Sequence, residues 1–140
     1  MKKKIVIGYT TGVFDLFHIG HVRILKKAKS LCDKLIVGVS TDRLVKKYKK
    51  KYPVMKHKER IEVVKSIKYA DYVVSQNTLN KFTSWKKLKY DFIFVGDDWF
   101  ATNKWRELDK KFKALGVRIV YLPYTKGTSS TLINNILNKF

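Results

Sequence analysis

The chain has 140 residues, 45% of them hydrophobic, which suits one domain with a real core and lies far from the composition of a disordered chain. It carries a net charge of +20 and a single cysteine, Cys32, so no internal disulfide forms and a reducing, cytoplasmic setting is expected. No run of about 18 apolar residues exists, so no membrane insertion is expected, and the opening MKKKIVIGYT reads as a first strand, not a signal peptide.

In chain order, short apolar runs alternate with amphipathic stretches. Residues 4–10 (KIVIGYT) read as a buried strand rich in β-branched residues. Residues 19–32 carry Ile19, Val22, Leu25, Ala28 and Leu31 near helical spacing. A second strand is predicted at 34–40, and the lysine-rich KKYKKKYP (46–53) reads as a solvated loop. Ile61, Val64 and Ile67 share one face of a helix over 58–70. A strand at 71–75, a helix at 79–90 and a strand at 91–96 follow. A helix over 102–116 ends on Gly116, a residue suited to a C-terminal cap, before a fifth strand at 117–122. The last helix, 129–140, begins in a Ser/Thr cluster where an N-cap belongs.

This alternation predicts one α/β domain over 1–140. It is a Rossmann-like, open, five-stranded parallel sheet with helices on both faces. Ligands of such sheets bind outside the carboxyl ends of the strands. Those ends carry TTGVFDLFHIGH, STDRLVKKYKKK, GDDWF and PYTKGTSST, so every polar cluster of interest falls on one edge.

Two of the three histidines, His18 and His21, stand three apart around a glycine at the start of the first helix. A zinc site would need two more ligands, and the sequence offers no cysteine pair, so no metal site is expected within the protein. Phosphate explains the pair better. A helix N-terminus presents unpaired amides, Gly20 lets an anion approach closely, and two imidazoles on one side of the first turn can donate to phosphate oxygens. Gly12, Val13 and Phe14 form the turn leading in, where amides can cradle phosphate, with Asp15 beside them. Gly127, Thr128, Ser129, Ser130 and Thr131 repeat the device with more hydroxyls than one cap needs. Lysines of 46–51 could close over the same phosphates. No Ser-His-Asp order, Walker pattern or G-x-G-x-x-G is present, so no protein nucleophile is evident and direct in-line transfer is favoured.

GVFDLFHIGH resembles the G-x-F-D-x-x-H-x-G-H signature of the HxGH nucleotidyltransferases, and GDDW (96–99) with PYTKGTSST (123–131) narrows the resemblance to the glycerol-3-phosphate cytidylyltransferases. It runs over essentially the whole chain. The resemblance implies that His18, His21, Lys50 and Ser129 stabilise the transferring phosphate, with Lys47 and Lys49 competing for the place of Lys50. It implies nucleotide contacts from Gly12, Val13, Phe14, Asp15, Gly20, Arg60, Lys68, Asp97, Asp98, Trp99, Tyr124, Thr125, Gly127, Thr128, Ser130 and Thr131. Asp97, Asp98 and Trp99 would border cytosine. Lys47, and Lys81 or Lys87 in the segment before the fourth strand, are candidates for the acceptor's phosphate. Tyr124 and Lys68 stand where the family has arginines, and Lys126 replaces an acid.

The expected reaction joins CTP, with Mg2+, to a phosphorylated small alcohol and releases pyrophosphate. Glycerol 3-phosphate leads as acceptor, giving CDP-glycerol for teichoic-acid or capsule-type polymers, in a homodimer. Phosphocholine, phosphoethanolamine and other polyol phosphates are alternative acceptors, and an adenylyltransferase activating a sugar phosphate is the rival enzyme. A catalytically silent relative is a further alternative, prompted by Tyr124. The charge also admits a basic nucleic-acid-binding module, but 26 of the 31 basic residues are lysine and that reading leaves the paired histidines unexplained, so no nucleic-acid partner is expected.

Overall fold

The computed structural model describes residues 4–96 and 103–123. Five strands form one sheet: β1 Ile7–Gly12, β2 Lys34–Ser40, β3 Tyr72–Gln76, β4 Phe92–Gly96 and β5 Arg118–Leu122. Their order is β3-β2-β1-β4-β5 and every pairing is parallel. The helices are α1 Ile19–Ser30, α2 Asp42–Lys49, α3 His57–Lys65, α4 Lys81–Leu88 and α5 Asn103–Ala114. Leu25 and Ala28 of α1 and Val64 of α3 pack with Leu35, Val37 and Val39 on one face of the sheet. On the other face, Phe82 and Trp85 of α4 and Trp105 and Phe112 of α5 cover Tyr9, Ile36, Ile93 and Ile119. The expected Rossmann-like α/β sheet covered on both faces is therefore present.

Three boundaries differ from the sequence expectation. β1 starts at Ile7 and runs on to Gly12, because Thr10, Thr11 and Gly12 continue the ladder with Val37, Gly38 and Val39. The helix expected at 58–70 ends at Lys65, where Ser66 Oγ donates back to the Val63 carbonyl. Much of the expected lysine loop is helix: Thr41 Oγ1 caps α2 by accepting from the Leu44 amide, and Leu44 and Val45 are buried beneath the lysines. Gly116 caps α5 as expected, at φ 78, a backbone angle that suits glycine. The expected helix 129–140 lies outside the described residues.

The amino edge of the sheet is stitched by aspartates. Asp33, Asp71 and Asp91 each stand just before a strand and accept from an amide at the start of the adjacent strand: Val6 at 2.7 Å, Leu35 at 2.8 Å and Ile7 at 2.9 Å. Each also donates its own amide back, to the carbonyl of Val6, Leu35 or Ile7. These reciprocal bonds satisfy strand ends that a helix crossover leaves open. The opposite, carboxyl edge is left for ligands.

Candidate active site

The chain leaves β1 through a strained turn. Phe14 (φ 54) and Leu16 (φ 48) both adopt the left-handed region, which costs a non-glycine residue about 1–2 kcal/mol. Neighbours hold them there. The Phe14 ring is buried, and a side chain at Gly12 would crowd that ring at 3.0 Å, so glycine lets the turn close tightly. Asp15 accepts from the Val54 and Met55 amides at 2.7 and 2.9 Å, tying the turn to the segment between α2 and α3.

Arg60 completes this frame. Its side chain is fully buried, and it donates to the carbonyls of Met55 (2.9 Å), Val13 (2.7 Å) and Ser40 (2.7 Å) and to Asp42 Oδ1 (2.6 Å). One guanidinium thus joins the β1 turn, the end of β2, the start of α2 and the loop before α3. Burial opposes the Asp42 charge, but hydrogen bonds from Arg60 and the His57 amide outweigh it and hold the carboxyl below its usual range. Arg60 was expected to contact the nucleotide; four of its five N–H groups are engaged by this frame, and through them it orders the site from inside.

The two histidines form a capping box at the start of α1. His18 Nδ1 accepts from the Gly20 amide at 3.1 Å, and His21 Nδ1 accepts from the His18 amide at 3.2 Å. The rings stack with centroids 3.9 Å apart. An Nδ1 that accepts a backbone N–H carries no proton, so in the neutral rings both protons sit on Nε2. The pair thereby presents two Nε2–H donors side by side. His18 Nε2 is buried and has no hydrogen-bond partner among the described residues. Burial lowers the His18 pKa, and burial together with the His18 neighbour lowers that of His21 to about 4, against a smaller opposing pull from Asp15. Phe14 and Phe17 wall the His21 ring at centroid distances of 5.4 and 5.0 Å.

A pH prediction follows from this depression. Above pH 6.5 His21 is neutral folded and unfolded and adds no pH dependence. Below 6.5 the unfolded chain takes up the proton first, so stability falls with pH down to about 4 and then levels. The slope from this group is at most about 1.4 kcal/mol per pH unit. Urea titrations at pH 7, 5.5 and 4 on the protein and on His21→Gln check it: the variant should lose this part of the acid sensitivity.

The remaining expected residues divide. Lys47 and Lys50 are exposed; Lys50 ends α2 in the left-handed region at φ 64. Lys49 is exposed as well; desolvation and Lys51 lower its pKa, and Asp15 opposes them. Lys68 needs correcting: it sits between α3 and β3, at the amino edge of the sheet, over the Tyr69 ring at 5.2 Å. The site is at the other edge, so this chain's fold does not bring Lys68 to it. Gly20 is buried in the first turn of α1, and Val13 gives its carbonyl to Arg60. Lys81, the first residue of α4, reaches Thr11 Oγ1 at the end of β1, 3.1 Å away. Asp97, Asp98, Trp99, Tyr124, Thr125, Gly127, Thr128, Ser129, Ser130 and Thr131 lie outside the described residues.

No group of three or more His, Cys, Asp or Glu side chains capable of holding an ion occurs among the described residues, and the carboxylates of Asp15 and Asp42 are engaged by backbone amides and Arg60. Thr10, Thr11, Ile24, Phe94, Gly96 and Leu122 line a cavity between β1, β4 and α1. No helix among the described residues is long and apolar enough to cross a membrane.

A sheet of this order, with a histidine-capped helix at its carboxyl edge, has the form of an α/β domain that takes phosphate-bearing ligands at a helix N-terminus. Residues 9–136 match the cytidylyltransferase-like family, and the chain belongs to it. It is similar to an FAD synthase of Pyrococcus horikoshii, 38% identical over 99% of this chain and 95% of that protein. It is also similar to a glycerol-3-phosphate cytidylyltransferase of Bacillus subtilis, 36% identical over 94% of both. Among solved structures it resembles a lipopolysaccharide core biosynthesis protein from Thermoplasma volcanium, with a TM-score of 0.73 and 26% identity, covering 89% of this chain and 100% of that one. The chain is thus a cytidylyltransferase-like nucleotidyltransferase, and its relatives carry two different substrate names.

Proposed function

We propose that this enzyme transfers CMP from CTP to a phosphorylated small alcohol, with glycerol 3-phosphate the leading acceptor, giving CDP-glycerol and pyrophosphate. The observation that carries the transfer chemistry is the stacked His18–His21 pair, whose Nδ1 atoms are tied to the backbone so that two Nε2–H donors face away from the cap. Fixed neutral donors at a helix N-terminus stabilise charge developing on a phosphate without reorganising. An acceptor phosphate oxygen attacks the α-phosphorus of CTP, the bond to the β-phosphate breaks, and pyrophosphate leaves carrying the electron pair. Mg2+ would enter with CTP and offset the charge of its phosphates. Lys49 and Lys50 supply further charge, Ser129 and Thr131 hydroxyls hold phosphate, and the protein acts as a homodimer in this reading. The choice of CTP is supported by the sequence GDDW at 96–99.

The FAD synthase relatives favour a second reading, adenylyl transfer from ATP onto FMN. A pyrophosphate-release assay separates the two. CTP and ATP are each paired with glycerol 3-phosphate, phosphocholine, phosphoethanolamine, a sugar phosphate and FMN. Release with CTP and glycerol phosphate is expected. Release with ATP and FMN alone would overturn the cytidylyl reading.

A further inference from the structure

The segment from α2 to the start of α3 carries more positive charge than a phosphate site uses. Between residues 43 and 58 stand one arginine and seven lysines, with no acidic residue among them, and all eight are exposed. The adjoining carboxylates are engaged: Asp42 by Arg60 and the His57 amide, Asp15 by the Val54 and Met55 amides. Like charges crowded on one surface repel, and an extended anion that meets several of them together relieves the repulsion. One nucleotide, its charge partly offset by Mg2+ and already met by the histidine pair, leaves most of these cations without a task.

Apolar groups are set among the charges. Leu44 and Val45 turn one face of α2 into the core, which leaves its lysines on the outer face. Just beyond the helix, on either side of Pro53, Tyr52 is 65% exposed and Val54 54%. This apolar tip is held rigidly. The Val54 and Met55 amides donate to Asp15 at 2.7 and 2.9 Å, and the Met55 carbonyl accepts from Arg60 at 2.9 Å. A tip already fixed in its exposed form loses little conformational freedom on binding. Tyrosine and valine ringed by lysines suit the boundary between headgroups and acyl chains of an anionic bilayer, where lysine stems lie along apolar groups and their ammoniums meet lipid phosphates. Nucleic acid fits less well. Lys46 sits over the Tyr52 ring at 5.3 Å and Lys49 over the Tyr48 ring at 5.8 Å, so one face of each ring is taken. Bases stack on free ring faces and are read mostly by arginine, of which this segment has only Arg43.

We propose that this face docks peripherally on an anionic lipid bilayer, with Tyr52 and Val54 entering the headgroup layer and the surrounding lysines meeting lipid phosphates. Asp15 ties the tip to the turn before His18, so the bilayer lies beside the carboxyl edge of the sheet. The proposal goes beyond nucleotidyl transfer and is read by binding, whichever acceptor the enzyme uses. The test is vesicle flotation with phosphatidylcholine alone and with about 40% phosphatidylglycerol. Wild type should partition onto the anionic vesicles at least about tenfold more strongly than onto the neutral ones, and added salt should weaken it. The double variant Lys56→Gln/Lys58→Gln should lower the partition about tenfold or more, at about fivefold per lysine. The double variant Tyr52→Ser/Val54→Ser removes no charge and should still lower it at least about fivefold. All four side chains are exposed, so both variants should keep the wild-type Tm. No binding to anionic vesicles, equal binding to neutral ones, or a tip variant that binds as wild type does overturns the proposal. Binding of a single-stranded RNA in place of vesicles would assign the face to nucleic acid and overturns it as well.

Discussion

His18→Asn is expected to lower kcat for nucleotidyl transfer by about 10²- to 10³-fold while changing stability little. Asparagine is among the best N-cap residues, and its Oδ1 can take over acceptance from the Gly20 amide that His18 Nδ1 now performs. What it cannot supply is a donor at the place of Nε2, the buried nitrogen with no partner among the described residues. Loss of one preorganised donor to a developing oxyanion has an effect of that size. The measurement is single-turnover pyrophosphate release beside urea unfolding. If kcat survives with the cap intact, Nε2 of His18 does not act on the reacting phosphate. His18→Ala would lose cap and donor together, about 1 kcal/mol of stability in addition to the rate.

Arg60→Met is expected to remove about 3–5 kcal/mol of folding stability and most of the activity. The side chain is fully buried, and its removal leaves three carbonyls and the Asp42 carboxylate without their donor. Arg60→Lys should fare only somewhat better, because one ammonium cannot span four acceptors spread around a planar fork. Urea unfolding reads the stability. Asp42→Asn distinguishes charge from geometry: it keeps an oxygen for Arg60 and should cost clearly less than Arg60→Met. Equal losses would mean that the ion pair, not the carbonyl network, holds the frame.

The fold was legible because strand and helix periodicities alternate cleanly, and because parallel strands need buried β-branched runs such as Leu35–Val39. The His18–His21 pair was legible because residue type, spacing and helix start coincide. α2 was hidden by its lysines: Thr41 before Asp42 and the apolar Leu44–Val45 pair were a usable capping signal, outweighed by a charge run that looked solvated. The frame built by Arg60 was not legible because charged side chains are ordinarily exposed, and a sequence carries no direct sign that four carbonyl and carboxylate oxygens converge on one of them. Lys68 follows from the alternation alone: a residue between a helix and the next parallel strand lies at the amino edge. The Asp33, Asp71 and Asp91 stitches also had a signal, an aspartate immediately before each of three strands, which no catalytic motif draws attention to.

The histidine capping box has one more consequence. The groups that would do the chemistry are the same groups that begin the helix, so stability and catalysis are selected through one pair of side chains. A descendant that lost its reaction would still be favoured for keeping both imidazoles, since most replacements fray α1. Survival of the motif in a lineage is therefore weak testimony that its bearer still turns over, and the Nε2 donors, which add nothing to the cap, are where relaxed selection would first show.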